Sequence, residues 1–376
     1  MHSQNNIISN LSLLLIFLYV IIYPFFIFNS GTPQIADFIL MFVVIINLRK
    51  IFSVYNSGIF TQITTHLLLY ICFINLIWGW IYSDTTIYFN IFFYLYNLLV
   101  FLLIVYFLRN IKYFPFVFCT AILISYIIQE VLSPYGRENG IRNILFFNNP
   151  NQLGLWAILT FFILYIYFIG NRLNGYFFTF AFLSSFFFII LSISKASIIT
   201  IILFSLYFFI SNFKKSFIPM TIAIFAILYF VKTNNIGLDD IQLIDNLILR
   251  VESDNSSDDT LGGRGYDRIW NHPLHNLFGA GEGANYRFVS QWYGEIHSAL
   301  GTLLFCYGIF GITSFIFLMY LIFKKNDFNV YVIVILVNIY MTVHLGLRSA
   351  FLWILFAHLY YFKDTLLINS KKYHNV

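Results

Sequence analysis

The chain has 376 residues, of which 60% are hydrophobic, 21% aromatic and only 10% charged, with a mean hydropathy of +0.80 and a formal net charge of +5. Soluble domains carry about 25% charged residues, so an ordinary water-soluble globule is excluded. The small net charge, divided between two faces, gives no reason to expect a nucleic-acid partner.

Apolar runs fall at 11–29, 35–48, 64–82, 87–108, 113–132, 148–169, 176–191, 196–212, 216–231, 296–323, 328–343 and 349–367. A spanning helix needs about 20 apolar residues. Only helices and closed barrels satisfy their backbone in lipid, and these runs lack the alternation of barrel strands. The expectation is an all-α polytopic membrane protein with about twelve transmembrane helices. The first run does not read as a cleavable signal, because residues 1–10 contain no Lys or Arg and no small-x-small site follows. Three regions are expected: 1–231 with spans one to nine, a large external loop at 232–295, and 296–376 with spans ten to twelve and a short tail. Cys72, Cys119 and Cys306 lie far apart in apolar runs, without disulfide or zinc spacing, and read as small buried hydrophobes.

Lys and Arg set the expected sidedness. Alternate connections hold Arg49, Lys50, Arg109, Lys112, Arg172, Lys214, Lys215, Lys324, Lys325, Lys363, Lys371 and Lys372, which marks that side, with both termini, as cytoplasmic. The opposite side holds Arg137, Arg142, Lys195, Lys232, Arg250, Arg264, Arg268, Arg287 and Arg348. Lysine prevails inside and arginine outside. A planar guanidinium grips phosphate or carboxylate where an ammonium is only a point charge, so the outer arginines read as working groups. The plainer alternative is that some of them pair with acids on the same face.

Along the outer side, the first informative stretch is SPYGRENGIRNILFFNNPNQLG at 133–154. Arg137 and Arg142 precede Asn149-Pro150-Asn151, where Pro suits a first helical turn and Asn suits a cap. Arginines beside a helix start fit a lipid-linked phosphate. Lys195, in SISKAS, stands at the outer end of two apolar helices, where snorkelling competes with a binding role. In the loop, 252–259 (ESDNSSDD) reads as a solvated segment, whereas 262–288 is dense in Gly, aromatics, Arg and His, the composition of an ordered binding loop. Gly279-Ala-Gly281-Glu-Gly283 follows no predicted strand, so a nucleotide fingerprint is not supported. His272-x-x-His275 lacks a third ligand, and no metal or cofactor is expected. His297 heads the tenth span beside Glu295, where an imidazole of pKa about 6.5 can take a proton from a hydroxyl. His344 and Arg348 lie at the next outer turn as secondary candidates. His66 and His358 read as structural.

These features in this order resemble the lipid-linked O-antigen polymerase and O-antigen ligase superfamily (Wzy-type and WaaL-type proteins). The resemblance covers about 130–350 and rests on four elements. They are Asn149-Pro150-Asn151-Gln152-Leu153-Gly154, Ser194-Lys195, the progression Arg264, Trp270, Pro273, Leu274, Gly279, Gly281 and Gly283, and finally His297, Leu300, Gly308 and Gly311. Lys195 stands where the family usually has Arg, and Arg264 and Arg268 both fit the loop arginine.

The resemblance implies a GT-C-like arrangement in a bacterial inner membrane, with the large loop in the periplasm. It implies transfer of a glycan from undecaprenyl pyrophosphate to an acceptor hydroxyl, without a metal. His297, oriented by Glu295, would be the catalytic base. Arg137, Arg142, Asn151, Lys195, Arg264, Arg268, Arg287 and Arg348 would bind the substrate. A chain-length regulator and a flippase are the partners it implies. Two alternatives remain: a ligase that delivers the glycan to lipid A–core, and, from a different class, a polysaccharide flippase or other transporter.

Overall fold

A computed structural model describes residues 2–29, 31–139, 142–211 and 260–373. Within them the chain is helical, with one short hairpin. Its helices, numbered in chain order, are α1 (His2–Ile22), α2 (Ile35–Ile46), α3 (Leu48–Ser53), α4 (Ile59–Tyr82), α5 (Thr85–Asn110), α6 (Phe114–Leu132), α7 (Pro150–Ile169), α8 (Gly175–Ser192), α9 (Lys195–Ser211), α10 (Asp267–Asn271), α11 (His275–Phe278), α12 (Ala299–Lys325), α13 (Phe328–Val343) and α14 (Ala350–Tyr373). Strands β1 (Arg137–Asn139) and β2 (Arg142–Leu145) pair antiparallel between α6 and α7. Six helices, α4, α5, α6, α7, α8 and α12, are long and apolar enough to cross a membrane, and five more are apolar but shorter. This is the build of a multi-pass membrane protein. The expected ninth span, at 216–231, and the first part of the external loop lie outside the described residues.

Local chemistry sets the helix ends. Asn149 caps α7 by accepting from the Gln152 amide at 2.9 Å, with Pro150 in the first turn. Asp84 caps α5 in the same way through Thr86, and Ser298 caps α12 through Gly301. The first apolar run does not continue as helix to 29. Its helix ends at Ile22, just before Pro24, which cannot extend it. The freed segment turns back over β2, with the Phe26 amide donating to the Phe146 carbonyl.

Connections alternate between two ends of the bundle. At one end Asn148 reaches the Phe28 carbonyl, Arg142 reaches Ser192, Arg264 reaches Val343 and Ala284 reaches Thr86. At the other end Arg109 binds the Ser57 carbonyl, Thr61 pairs with Tyr361, and Lys363 pairs with Asp327. Among the described residues the connections therefore separate onto two ends, as expected from the sequence; Lys214, Lys215, Lys232 and Arg250 lie outside them. The core between these ends is a continuous packing of aliphatic and aromatic side chains, centred on α7 and on residues 350–363 of α14, whose faces are buried nearly all round. The three cysteines are free and buried in it.

One helix is broken. Gly308, inside α12, has φ +66°, and the carbonyls of Phe305 and Cys306 accept instead from the amides of Ala280 and Gly281. The external loop therefore re-enters the bundle and completes the hydrogen bonding that the helix gives up. Glycine is required on both sides of this contact. A Cβ on Gly308 would stand 2.5 Å from the Leu277 carbonyl, and one on Gly279 would stand 2.6 Å from that of Cys306.

Candidate functional site

Two polar groups of residues lie at the loop-bearing end. The first is built around the start of α7. Arg142 donates through Nε to the Ser192 carbonyl at 2.9 Å and through a terminal nitrogen to Asn151 Oδ1 at 2.8 Å. It thereby ties the hairpin to α7 and to the turn between α8 and α9. That turn has Ile193 in the left-handed region at φ 45°, and it presses against α7 where Gly154 has no side chain and Ser197 fills the space. The Tyr340 hydroxyl reaches the Asn151 carbonyl at 3.3 Å and lies beside Ser194 and Ser197.

Across from these, Arg264 donates to the Val343 carbonyl at 2.9 Å, and its own carbonyl accepts from the His297 amide at 3.0 Å. His344 lies between the two sides, its ring 4.8 Å from that of Tyr340. Burial pushes the His344 pKa down to about 3, and the charges of Arg264, His297 and Arg142 push in the same direction. Its imidazole is neutral at physiological pH and lies close to the guanidinium groups of Arg264 and Arg142. His297 packs edge-on against Trp292. Lys195 begins α9, directly after this turn.

The second group centres on Arg348. Its guanidinium lies 2.6 Å from the Glu282 carboxylate and 2.7 Å from that of Glu295. Glu282 is almost fully buried, whereas Glu295 is 40% exposed. The other oxygen of Glu282 accepts from Tyr94 at 2.7 Å and Tyr307 at 2.5 Å. Its backbone is held by Asn75 and Asn90, each at 2.8 Å. Burial pulls the Arg348 pKa down, but Glu282 and Glu295 outweigh it and hold the guanidinium firmly charged. A buried carboxylate is tolerated only when paired and hydrogen-bonded, and every element of that requirement is met here.

The expected site residues therefore divide. Arg142, Asn151, Arg264 and His297 converge around His344. Arg348 and Glu295 belong to the neighbouring ion cluster, in which Glu295 pairs with Arg348.

Three arginines are occupied by backbone carbonyls. Arg268, 1% exposed, donates to Trp292, Gly294 and the Asn285 side chain. Arg287 donates to Ala280, Gly283 and Ala284 and stacks on Trp78, Tyr82 and Phe288. Arg137 binds the carbonyls of Phe26, Phe146 and Phe147. These side chains hold the outer loops in shape.

The residues that sequence reasoning passed over are Glu282 and its ligands Asn75, Asn90, Tyr94 and Tyr307. The available signal was the placement of asparagines inside otherwise apolar spans, which is costly unless they have partners. No family model matches the chain, and no curated protein matches it.

Proposed function

We propose that the chain is a polysaccharide polymerase of the O-antigen type. In this reading it is a metal-independent glycosyltransferase of about twelve spans with a GT-C-like plan. It extends a glycan held on undecaprenyl pyrophosphate at the periplasmic face of a bacterial inner membrane. The observation that carries this reading is the convergence of Arg142, Arg264 and His297 about the neutral His344, beside the capped start of α7.

An acceptor sugar hydroxyl attacks the anomeric carbon of the donor, and the bond from that carbon to the pyrophosphate oxygen breaks. The pyrophosphate leaves with the electron pair, and the hydroxyl proton passes to the His297 imidazole. Guanidinium groups fixed in place by their own carbonyl and amide contacts stabilise the departing charge without reorganising, a contribution of about 10²–10³ in rate per donor. Ligation to lipid A–core would use the same chemistry with a different acceptor. A chain-length regulator and a flippase are the partners this reading implies.

A transporter is the second reading. It is favoured by the break in α12 and by an Arg–Glu pair set below the helix ends, since discontinuous helices line substrate paths in transporters. Deletion followed by complementation separates the cases. Polymerase loss leaves surface core bearing one repeat unit, and ligase loss leaves bare core with lipid-linked polymer. Transporter loss leaves single units on the cytoplasmic leaflet. If wild type restores long polymer and His297→Ala and Arg264→Ala do not, with protein levels unchanged, the polymerase reading stands. Normal polymer from both variants refutes it.

A further inference from the structure

The segment from Trp270 to Phe278 is inside out for a solvent-facing loop. Asn271 is exposed, but the polar residues of the α11 turn itself face the protein: Asn276 donates to the Ile269 carbonyl at 2.6 Å, and His275 is enclosed by Trp78, Phe288 and Phe305. Its apolar residues turn outward, with Leu274 72%, Leu277 52% and Phe278 71% exposed. An exposed apolar face with polar groups tucked behind it marks a surface that meets something other than water.

Three helices measure the depth of this segment. Gly308, against which the Leu277 carbonyl packs, lies about 24 Å along α12 from Lys324 at 1.5 Å per residue. Asn75, which holds Glu282, lies about 24 Å from the start of α4, and Tyr94 lies about 22 Å from Arg109 on α5, by the same rise. Taking the far helix ends as the opposite boundary of a hydrocarbon layer about 30 Å thick puts the base of the loop about 6–8 Å inside it. The segment packs on α4 through His275 and Trp78 and on α12 at Gly308, and both helices carry exposed apolar side chains nearby in sequence, Phe73, Leu76 and Trp80 on α4 and Ile309 and Phe310 on α12.

We propose that α11 is a re-entrant segment embedded in the leaflet on the loop-bearing side, with Leu274, Leu277 and Phe278 in contact with phospholipid acyl chains. The occupant follows from continuity with the spanning surface, from the depth, and from the inverted polarity. Backbone at this depth is satisfied because Ala280 and Gly281 bond to α12 and Trp78 binds the Gly279 carbonyl. This inference is independent of the proposed glycosyl transfer and holds for a transporter equally.

The test places a nitroxide on single cysteines at Leu274→Cys, Leu277→Cys and Phe278→Cys, in the full chain reconstituted in phosphatidylcholine vesicles. Tyr293→Cys, 84% exposed in the same loop, is the aqueous control. Collision with molecular oxygen should exceed collision with a neutral nickel chelate severalfold at the three α11 sites, and the order should reverse at 293. Chelate access at Leu277 and Phe278 equal to that at 293 would place the segment in water and overturn the proposal. Protection from both reagents would also overturn it, because a protein surface or a second copy would then be the cover. Three separate positions keep the result readable if one variant fails to reconstitute.

Discussion

Arg348 stands 2.6 Å from Glu282 and 2.7 Å from Glu295, and the two carboxylates are unequal partners: one is buried beneath two tyrosine hydroxyls and the other borders water. Removing one member of a buried pair leaves an uncompensated charge and costs about 3–5 kcal/mol, whereas an exposed ion pair is worth about 0–1 kcal/mol. Glu282→Gln should therefore lower the melting temperature of the purified protein far more than Glu295→Gln. Arg348→Met combined with Glu282→Gln should recover much of what Arg348→Met alone loses. Additive losses in this cycle would show that the pair does not act as a unit.

His344 gives a pH prediction. Its folded pKa, near 3, lies below the unfolded value of about 6.5. Between these values the unfolded chain takes up a proton that the folded chain refuses, so stability falls with falling pH, by at most about 1.4 kcal/mol per unit for this one group. Above pH 6.5 the residue contributes no pH dependence. In His344→Phe the slope of melting temperature between pH 6 and pH 4 should flatten, and an unchanged slope would assign it to other groups.

The break in α12 depends on a backbone that side chains rarely adopt. Gly308→Ala combines an unfavourable φ with a clash against the Leu277 carbonyl. The expected outcome is release of the 274–283 stretch from the bundle. Limited proteolysis should cut there in the variant and spare the wild type, and amide exchange at Ala280 and Gly281 should rise by an order of magnitude or more.

Arg268 and Arg287 should behave as loop fasteners. Hydrogen bonds to a charged group are worth about 1.5–3 kcal/mol each, and a lysine cannot reproduce the fork in which one terminal nitrogen donates to Asn285 and the other to Trp292 and Gly294. Arg268→Lys should increase protease sensitivity of 285–295. Arg264→Lys, at the first cluster, should leave that sensitivity unchanged and, under the proposed glycosyl transfer, shorten the polymer that complementation restores.

The start of α7 yields a local test. Asn149→Ala removes a cap worth about 1 kcal/mol. Gly154→Val forces α7 away from Ser197 and the turn at Ile193. The second change should be the more damaging in thermal unfolding, because packing has no room to relax there.

Much of the architecture could be read from hydropathy because lipid leaves a chain few choices. The long runs at 64–82, 87–108 and 148–169 became α4, α5 and α7, and Asn149-Pro150 marked its helix start within a residue. Proline, rather than loss of apolarity, ended α1, so the run to 29 overstated that helix. The break at Gly308 had no signature in composition: a glycine in an apolar run is ordinary, and only the loop's approach makes it unwind. For the site, Arg142, Arg264 and His297 were legible as chemistry at one end of the bundle. Glu282 was not, because a carboxylate between glycines in a polar loop looks solvated until the loop is seen to dive. The carbonyls that Arg268 and Arg287 hold were not legible either, since a sequence does not reveal which of them lie within reach.

The hydrogen bonds from Ala280 and Gly281 to α12 also bear on how this protein can be divided or recombined. An excised external segment would leave those two amides and the helical carbonyls of Phe305 and Cys306 without each other, so neither half is a self-sufficient module. A chimera that exchanges the loop-bearing portion between related chains would have to carry the pentapeptide from Gly279 to Gly283 together with its receiving notch at Gly308. Grafts that respect that seam should insert and mature, and grafts cut through it should be degraded.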